Sequence, residues 1–176
     1  MAGAMKSGLG TASLQIGGGV TVGAIVAVNA FGDVLDPTSG EILAGARPAK
    51  IGPLKLGGAG PFADTLKIMQ TLPGRTIMRL ATGGNTIIAV VATNAKFDKA
   101  QATKVAQMAH DGLARTVRPA HTMLDGDTIF ALATGQKQAD VSTVGAFAAE
   151  ALALAIVRAV KAAEPAGGLP AISSNN

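Results

Sequence analysis

Two short stretches carry side chains able to do chemistry. Thr86 follows Gly83, Gly84 and Asn85 and opens an apolar, β-branched run, so its hydroxyl stands at the start of a buried strand. Were the bond before it cut, that hydroxyl would attack while its own α-amine, of ordinary pKa about 7.7–8.0, took the proton. The dipeptide Asn-Thr is too common to establish this alone. Asp125 and Asp127 flank Gly126 and lead into Thr128, Ile129, Phe130 and Ala131. In extended chain, side chains at i and i+2 share a side, and like charges so placed repel unless donors or a cation neutralise them. Two readings stay open: a turn capped by an aspartate, or two carboxylates facing a metal.

The other candidates read as structural. His110 and His121 are the only histidines. The first is expected on a helix and the second in a loop, so they share no ligand spacing. Gly58, Gly60 and Ala63 match the G-x-G-x-x-A spacing of a dinucleotide loop, yet Pro61 lacks an amide hydrogen and no acidic residue lies between Asp64 and Asp98. A turn before a helix fits better. No nucleophile elbow and no phosphate loop is present, and no cofactor or metal is expected.

The elements that must position these residues follow from periodicity. Residues 19–31, 86–93 and 128–134 are short, apolar, β-branched runs bounded by Gly, Asn or Asp, which predicts strands buried on both faces, and residues 9–16, running into Gly17–Gly19, are read as a fourth strand. Asp98 with Gln101 three residues on predicts a capping box, opening a helix whose stripe is Val105, Met108, Ala109, Gly112 and Leu113 and which ends before Arg118 and Pro119. Residues 146–160, apolar nearly all round, predict a buried helix covered by a sheet and by a second subunit. The fold class is therefore α+β or layered α/β, with the sheet between helices. Residues 33–84 hold most of the prolines and one helix candidate at 61–71, a connection long enough to be functional.

Composition bounds the alternatives. At 176 residues with 48% hydrophobic and 15% charged residues, the chain suits one well-cored domain and excludes a disordered tail. Without Cys there is no disulfide or thiolate nucleophile, and with no Trp or Tyr there is no stacking platform for single-stranded nucleic acid. The net charge of +4 is scattered, so no nucleic-acid partner is expected. Glu150 and Arg158 interrupt the most apolar stretch, so no membrane span is expected. The first residues lack an apolar signal segment, which makes a cytoplasmic location the expectation.

Four segments in order carry a family resemblance: GLGTAS at 8–13, GVTVGAIVAVNAFGD at 19–33, GNTIIAVVATNA at 84–95 and HTMLDGDTIFA at 121–131. Together they resemble the P1 family of peptidases, the L-aminopeptidase/D-esterase and β-aminopeptidase group that includes the nylon-oligomer hydrolases. The resemblance runs from about residue 6 to residue 163.

It implies a layered α/β/β/α sandwich of the N-terminal-nucleophile type, incomplete here on its amino-terminal side, and a precursor that cuts itself between Asn85 and Thr86. Residues 1–85 would be the end of the large subunit and 86–176 the small subunit, together one domain. Thr86 would be both the self-cutting residue and the mature nucleophile. Asn29 would donate its side-chain amide to the oxyanion, and Asp125 and Asp127 would orient the α-amine of Thr86. The Thr nucleophile and Asp-Gly-Asp pattern resemble the nylon-hydrolase branch more than the Ser-nucleophile aminopeptidases. The implied partners are a small peptide, β-peptide or ω-amino-acid amide substrate, further copies of the chain in a homo-oligomer, and the upstream half of the large subunit. That half would also supply a tyrosine and a lysine, for which Lys6 is not a substitute. The alternatives are a non-catalytic remnant or assembly subunit, and acyl transfer of the ornithine-acetyltransferase kind.

Overall fold

Along the chain the elements run β1 (Leu9–Gln15), β2 (Thr21–Asn29), β3 (Asp33–Leu35), β4 (Ile42–Ala44), β5 (Ala49–Ile51), β6 (Leu54–Leu56), α1 (Thr65–Gln70), α2 (Leu72–Leu80), β7 (Thr86–Ala95), α3 (Lys99–Thr116), β8 (Val117–Arg118), β9 (Thr128–Lys137) and α4 (Val141–Lys161). They are drawn from a computed structural model that describes residues 3–51, 54–80 and 84–172. Residues 9–16 become β1, and the three β-branched runs become β2, β7 and β9, because branching at Cβ suits a pleated backbone better than a helical one. They form one sheet in that order, antiparallel except for the parallel β7–β9 pair. Gly17, Gly18 and Gly19, all at positive φ, turn β1 back onto β2.

Burial alternates along the sheet instead of being two-sided. Val22, Val26, Ile87 and Val91 are almost fully buried on one face. That face is covered by α3, through Val105, Ala109 and Leu113, and by α4, through Val144, Leu152, Ile156 and Val160. On the other face Leu9, Ile25, Ile88, Phe130 and Leu132 are 47–68% exposed. The expectation of strands buried on both faces, with helices on either side, is thus corrected. The described residues supply one α layer and one β layer, and continuous apolar runs do not reveal which face the chain itself covers.

Two glycines set how closely α4 approaches. A Cβ on Gly10 would lie 2.0 Å from the Ala155 carbonyl oxygen, and one on Gly112 would lie 2.1 Å from that of Ala149. The first lets α4 settle on β1, and the second lets α3 pack against α4. The expected box at the start of α3 is present: the Asp98 carboxylate accepts from Gln101 N–H at 2.8 Å and Gln101 Oε1 accepts from Asp98 N–H at 3.0 Å. By length and composition alone α4 could cross a membrane. Its burial against the sheet and α3 makes it the core helix instead.

Residues 33–84 hold more structure than the sequence suggested. Strands β4, β3 and β8 form an antiparallel sheet, β5 and β6 form a hairpin, and two short helices follow. The buried Asp33 carboxylate anchors this region by accepting from Thr65 N–H at 2.7 Å and Thr65 Oγ1–H at 3.0 Å. Burial raises its pKa, against the pull of those two bonds. The G-x-G-x-x-A stretch is a turn leading into α1.

Candidate active site

Strand register brings the candidate residues to one end of the sheet. Asn29, the last residue of β2, pairs directly with Thr86, the first of β7. One residue earlier, Asn85 bridges Asp125 just ahead of β9. Residues 29, 85, 86 and 125 therefore meet although up to 96 positions separate them, from 29 to 125.

The Asn85–Thr86 peptide bond is the centre of this cluster. Thr86 Oγ1–H donates to the Asn85 carbonyl oxygen at 2.5 Å, and Gly126 N–H donates to the same oxygen at 3.0 Å. The carbonyl is thus polarised by two donors, one of which belongs to the hydroxyl able to attack it. Asn29 Nδ2 donates to the Gly84 carbonyl oxygen at 2.8 Å. A Cβ at residue 126 would sit 3.0 Å from Thr86 Oγ1, tight enough that the hydroxyl would have to shift.

Donors from three segments answer the repulsion between the two carboxylates. Asp125 Oδ1 accepts from Phe31 N–H at 3.2 Å, and its Oδ2 accepts from Thr122 N–H at 3.2 Å and Thr122 Oγ1–H at 2.7 Å. Asp127 Oδ1 accepts from Ile87 N–H at 3.0 Å, while its Oδ2 takes His121 N–H at 3.4 Å and lies 3.2 Å from His121 Nδ1. These are the contacts of a capped turn. Among the described residues no group of three or more His, Asp or Glu is placed to hold a metal ion.

Two neighbouring hollows give the site its access. One of about 190 Å³ is lined by Lys6, Ser7, Asn29, Phe31 and Asn85, among others. The second, about 510 Å³, runs over Lys6, Leu9, Asn29, Thr86 and Ile88. Lys6 borders both, a position its neighbours in sequence did not signal. Residues 81–83, with Gly83, lie outside the described residues.

The structure also joins two residues that sequence reasoning kept apart. The rings of His110, on α3, and His121, in the loop before β9, stand edge to face with centroids 4.9 Å apart. His121 adopts φ +54°, unusual for a residue with a side chain. Burial, followed by the nearby His121, lowers the pKa of His110, opposed by Asp127 and Asp111.

Comparison with known proteins decides the family. The family model described as peptidase family S58 matches residues 1–171. The chain belongs to that family. An uncharacterized aminopeptidase of Mycobacterium tuberculosis (strain H37Rv) is 40% identical over 194 residues, covering 96% of this S58 chain and 52% of the relative. A 6-aminohexanoate-oligomer endohydrolase of Kocuria sp. is 27% identical over 168 residues, covering 88% of this chain and 44% of that enzyme. The L-aminopeptidase D-Ala-esterase/amidase of Ochrobactrum anthropi, described as a variant of the Ntn-hydrolase fold, aligns with a TM-score of 0.59 and 22% identity. It covers 97% of this chain and 44% of that one, and it shows the fold. The S58 chain spans about half the length of the curated relatives it matches. The family resemblance and the fold class drawn from sequence are both borne out.

Proposed function

We propose that this S58 chain is the carboxyl-terminal part of a self-processing amidohydrolase that cuts its own Asn85–Thr86 bond and then uses Thr86 as nucleophile. The observation that carries the reading is the 2.5 Å contact of Thr86 Oγ1 with the carbonyl oxygen of the bond to be cut. Thr86 Oγ attacks the Asn85 carbonyl carbon, and Gly126 N–H holds the oxyanion that develops. As the C–N bond breaks, the hydroxyl proton ends on the Thr86 nitrogen and an ester links Asn85 to Thr86 Oγ. Water hydrolyses that ester, leaving an Asn85 carboxylate and a Thr86 with a free hydroxyl and α-amine.

The same groups then serve an external amide. The α-amine takes the Thr86 hydroxyl proton, and Asp127, which already holds the N–H of the next residue, orients that amine with Asp125. Departure of Gly84 frees the Asn29 amide to donate to the substrate's oxyanion. Small peptides, β-peptides and ω-amino-acid oligomers are the proposed substrates, and the Asp-Gly-Asp pattern with the Kocuria relative favours the last.

The groups proposed to make the cut, Thr86 Oγ1 and Gly126 N–H, both lie in this chain, whereas substrate turnover is proposed to need an upstream half as well. Its proposed seat is the open sheet face bearing Leu9, Ile25, Ile88, Phe130 and Leu132, since apolar surface of that extent asks for cover. The test is hydrolysis of aminoacyl-nitroanilides and aminohexanoate oligomers by a version extended upstream. Activity should appear only with the cut protein and vanish in Thr86→Ala; an uncut, active protein would overturn the mechanism.

A further inference from the structure

We infer that His121 is a positioning residue for Asp127, braced by His110 and thereby by α3, an inference that rests on the proposed role of Asp127 at Thr86. Asp127 is buried, its side chain 3% exposed, and its two oxygens have separate partners. Oδ1 receives Ile87 N–H at 3.0 Å, one residue from the nucleophile. Oδ2 is closed from the other side by His121, through the main-chain N–H at 3.4 Å and the ring Nδ1 at 3.2 Å. A carboxylate held at both ends keeps one orientation, which a group steering an amine requires.

The backbone at His121 serves the same end. Its φ of +54° turns N–H and ring onto one carboxylate oxygen, a conformation that costs free energy and is over-determined by its contacts. The His110 ring packs edge to face against it at an interplanar angle of 61°, so that the imidazole is walled on the side of α3. A donor to Asp127 requires a proton on Nδ1. Asp125 does not compete for His121, because its oxygens are taken by Phe31 and Thr122.

Two substitutions separate the hydrogen bond from the backbone. Asn at 121 tolerates positive φ and places its amide where Nδ1 stands, whereas Gly tolerates the φ and offers no side-chain donor. Measured as the rate of cutting at Asn85–Thr86 in the 176-residue chain, His121→Gly should be slower by about tenfold, the scale of one charge-assisted hydrogen bond. His121→Asn should recover to within about twofold of the parent, the thermal midpoints of both variants being unchanged. A Gly variant as fast as the parent, or an Asn variant as slow as Gly, would overturn the inference. A second readout is independent of cutting: nitrogen NMR of the imidazoles in the uncut Thr86→Ala chain should find Nδ1 of His121 protonated. An unprotonated Nδ1 would overturn the inference by itself. Failure of the parent chain to cut would instead count against the proposed function, with the NMR result still deciding His121.

Discussion

Both faces of the four-stranded sheet carry large apolar side chains, and these have opposite fates. One face sends Val22, Val26, Ile87 and Val91 into a core sealed by α3 and α4. The other leaves Ile25, Ile88 and Phe130 about half exposed, although these sit next to the buried residues in the same strands. The covered face is packed within the chain, whereas the open face mixes exposed apolar side chains with polar ones such as Thr11, Ser13 and Thr128.

Substitutions should separate the faces by size of effect. On the covered side Leu152→Ala removes a fully buried side chain from α4 and is expected to destabilise the chain by about 2–5 kcal/mol in denaturant titrations. A smaller loss, about 1–3 kcal/mol, is expected for Gly10→Ala, whose new methyl would press on the Ala155 and Ala159 backbone. Its counterpart Gly23→Ala, on the open face with only ordinary contacts nearby, should be tolerated. If the two glycines behave alike, the asymmetry described here is wrong.

A third effect is set by pH. Because the folded pKa of His110 lies below its ordinary value of 6.5, the folded state resists its protonation. Its contribution is therefore complete above pH 6.5 and lost as pH falls through that value toward the lower folded pKa. Thermal midpoints should drop on acidification across this window, and His110→Phe should flatten that part of the profile. The smallest effect belongs to the open face: Phe130→Thr should change the chain's stability by no more than about 0.5 kcal/mol. It should at the same time weaken capture of an upstream half supplied in trans. A large loss of stability in the lone chain would show that this face is already covered.

The sequence was a good guide to local matters. Three β-branched runs, the Asp98 capping box and the helix end before Pro119 are set by neighbours within a few residues, and each appears where expected. What was not legible depended on long-range geometry. In the middle of β2 and β7 apolar residues run on through both faces, so alternation there does not mark the open face. The short strands between Asp33 and Leu56 owe their existence to pairing, β3 with β4 and β8 and β5 with β6, not to their own pattern. At the candidate site, Thr86, Asn29, Asp125 and Asp127 were picked out by motif, and the structure brings them together through register. The His110–His121 contact had no sequence signal, since it arises where the last turns of α3 meet a loop held at positive φ.

The central claim is that the groups needed to break the Asn85–Thr86 bond are all in place within these 176 residues. Intact-mass analysis of the purified chain, with its amino-terminal residues sequenced, tests this directly. The account predicts two products, residues 1–85 and a fragment beginning at Thr86, appearing over time in the parent and absent in Thr86→Ala. A single mass that persists in the parent, or cutting that survives Thr86→Ala, would contradict it.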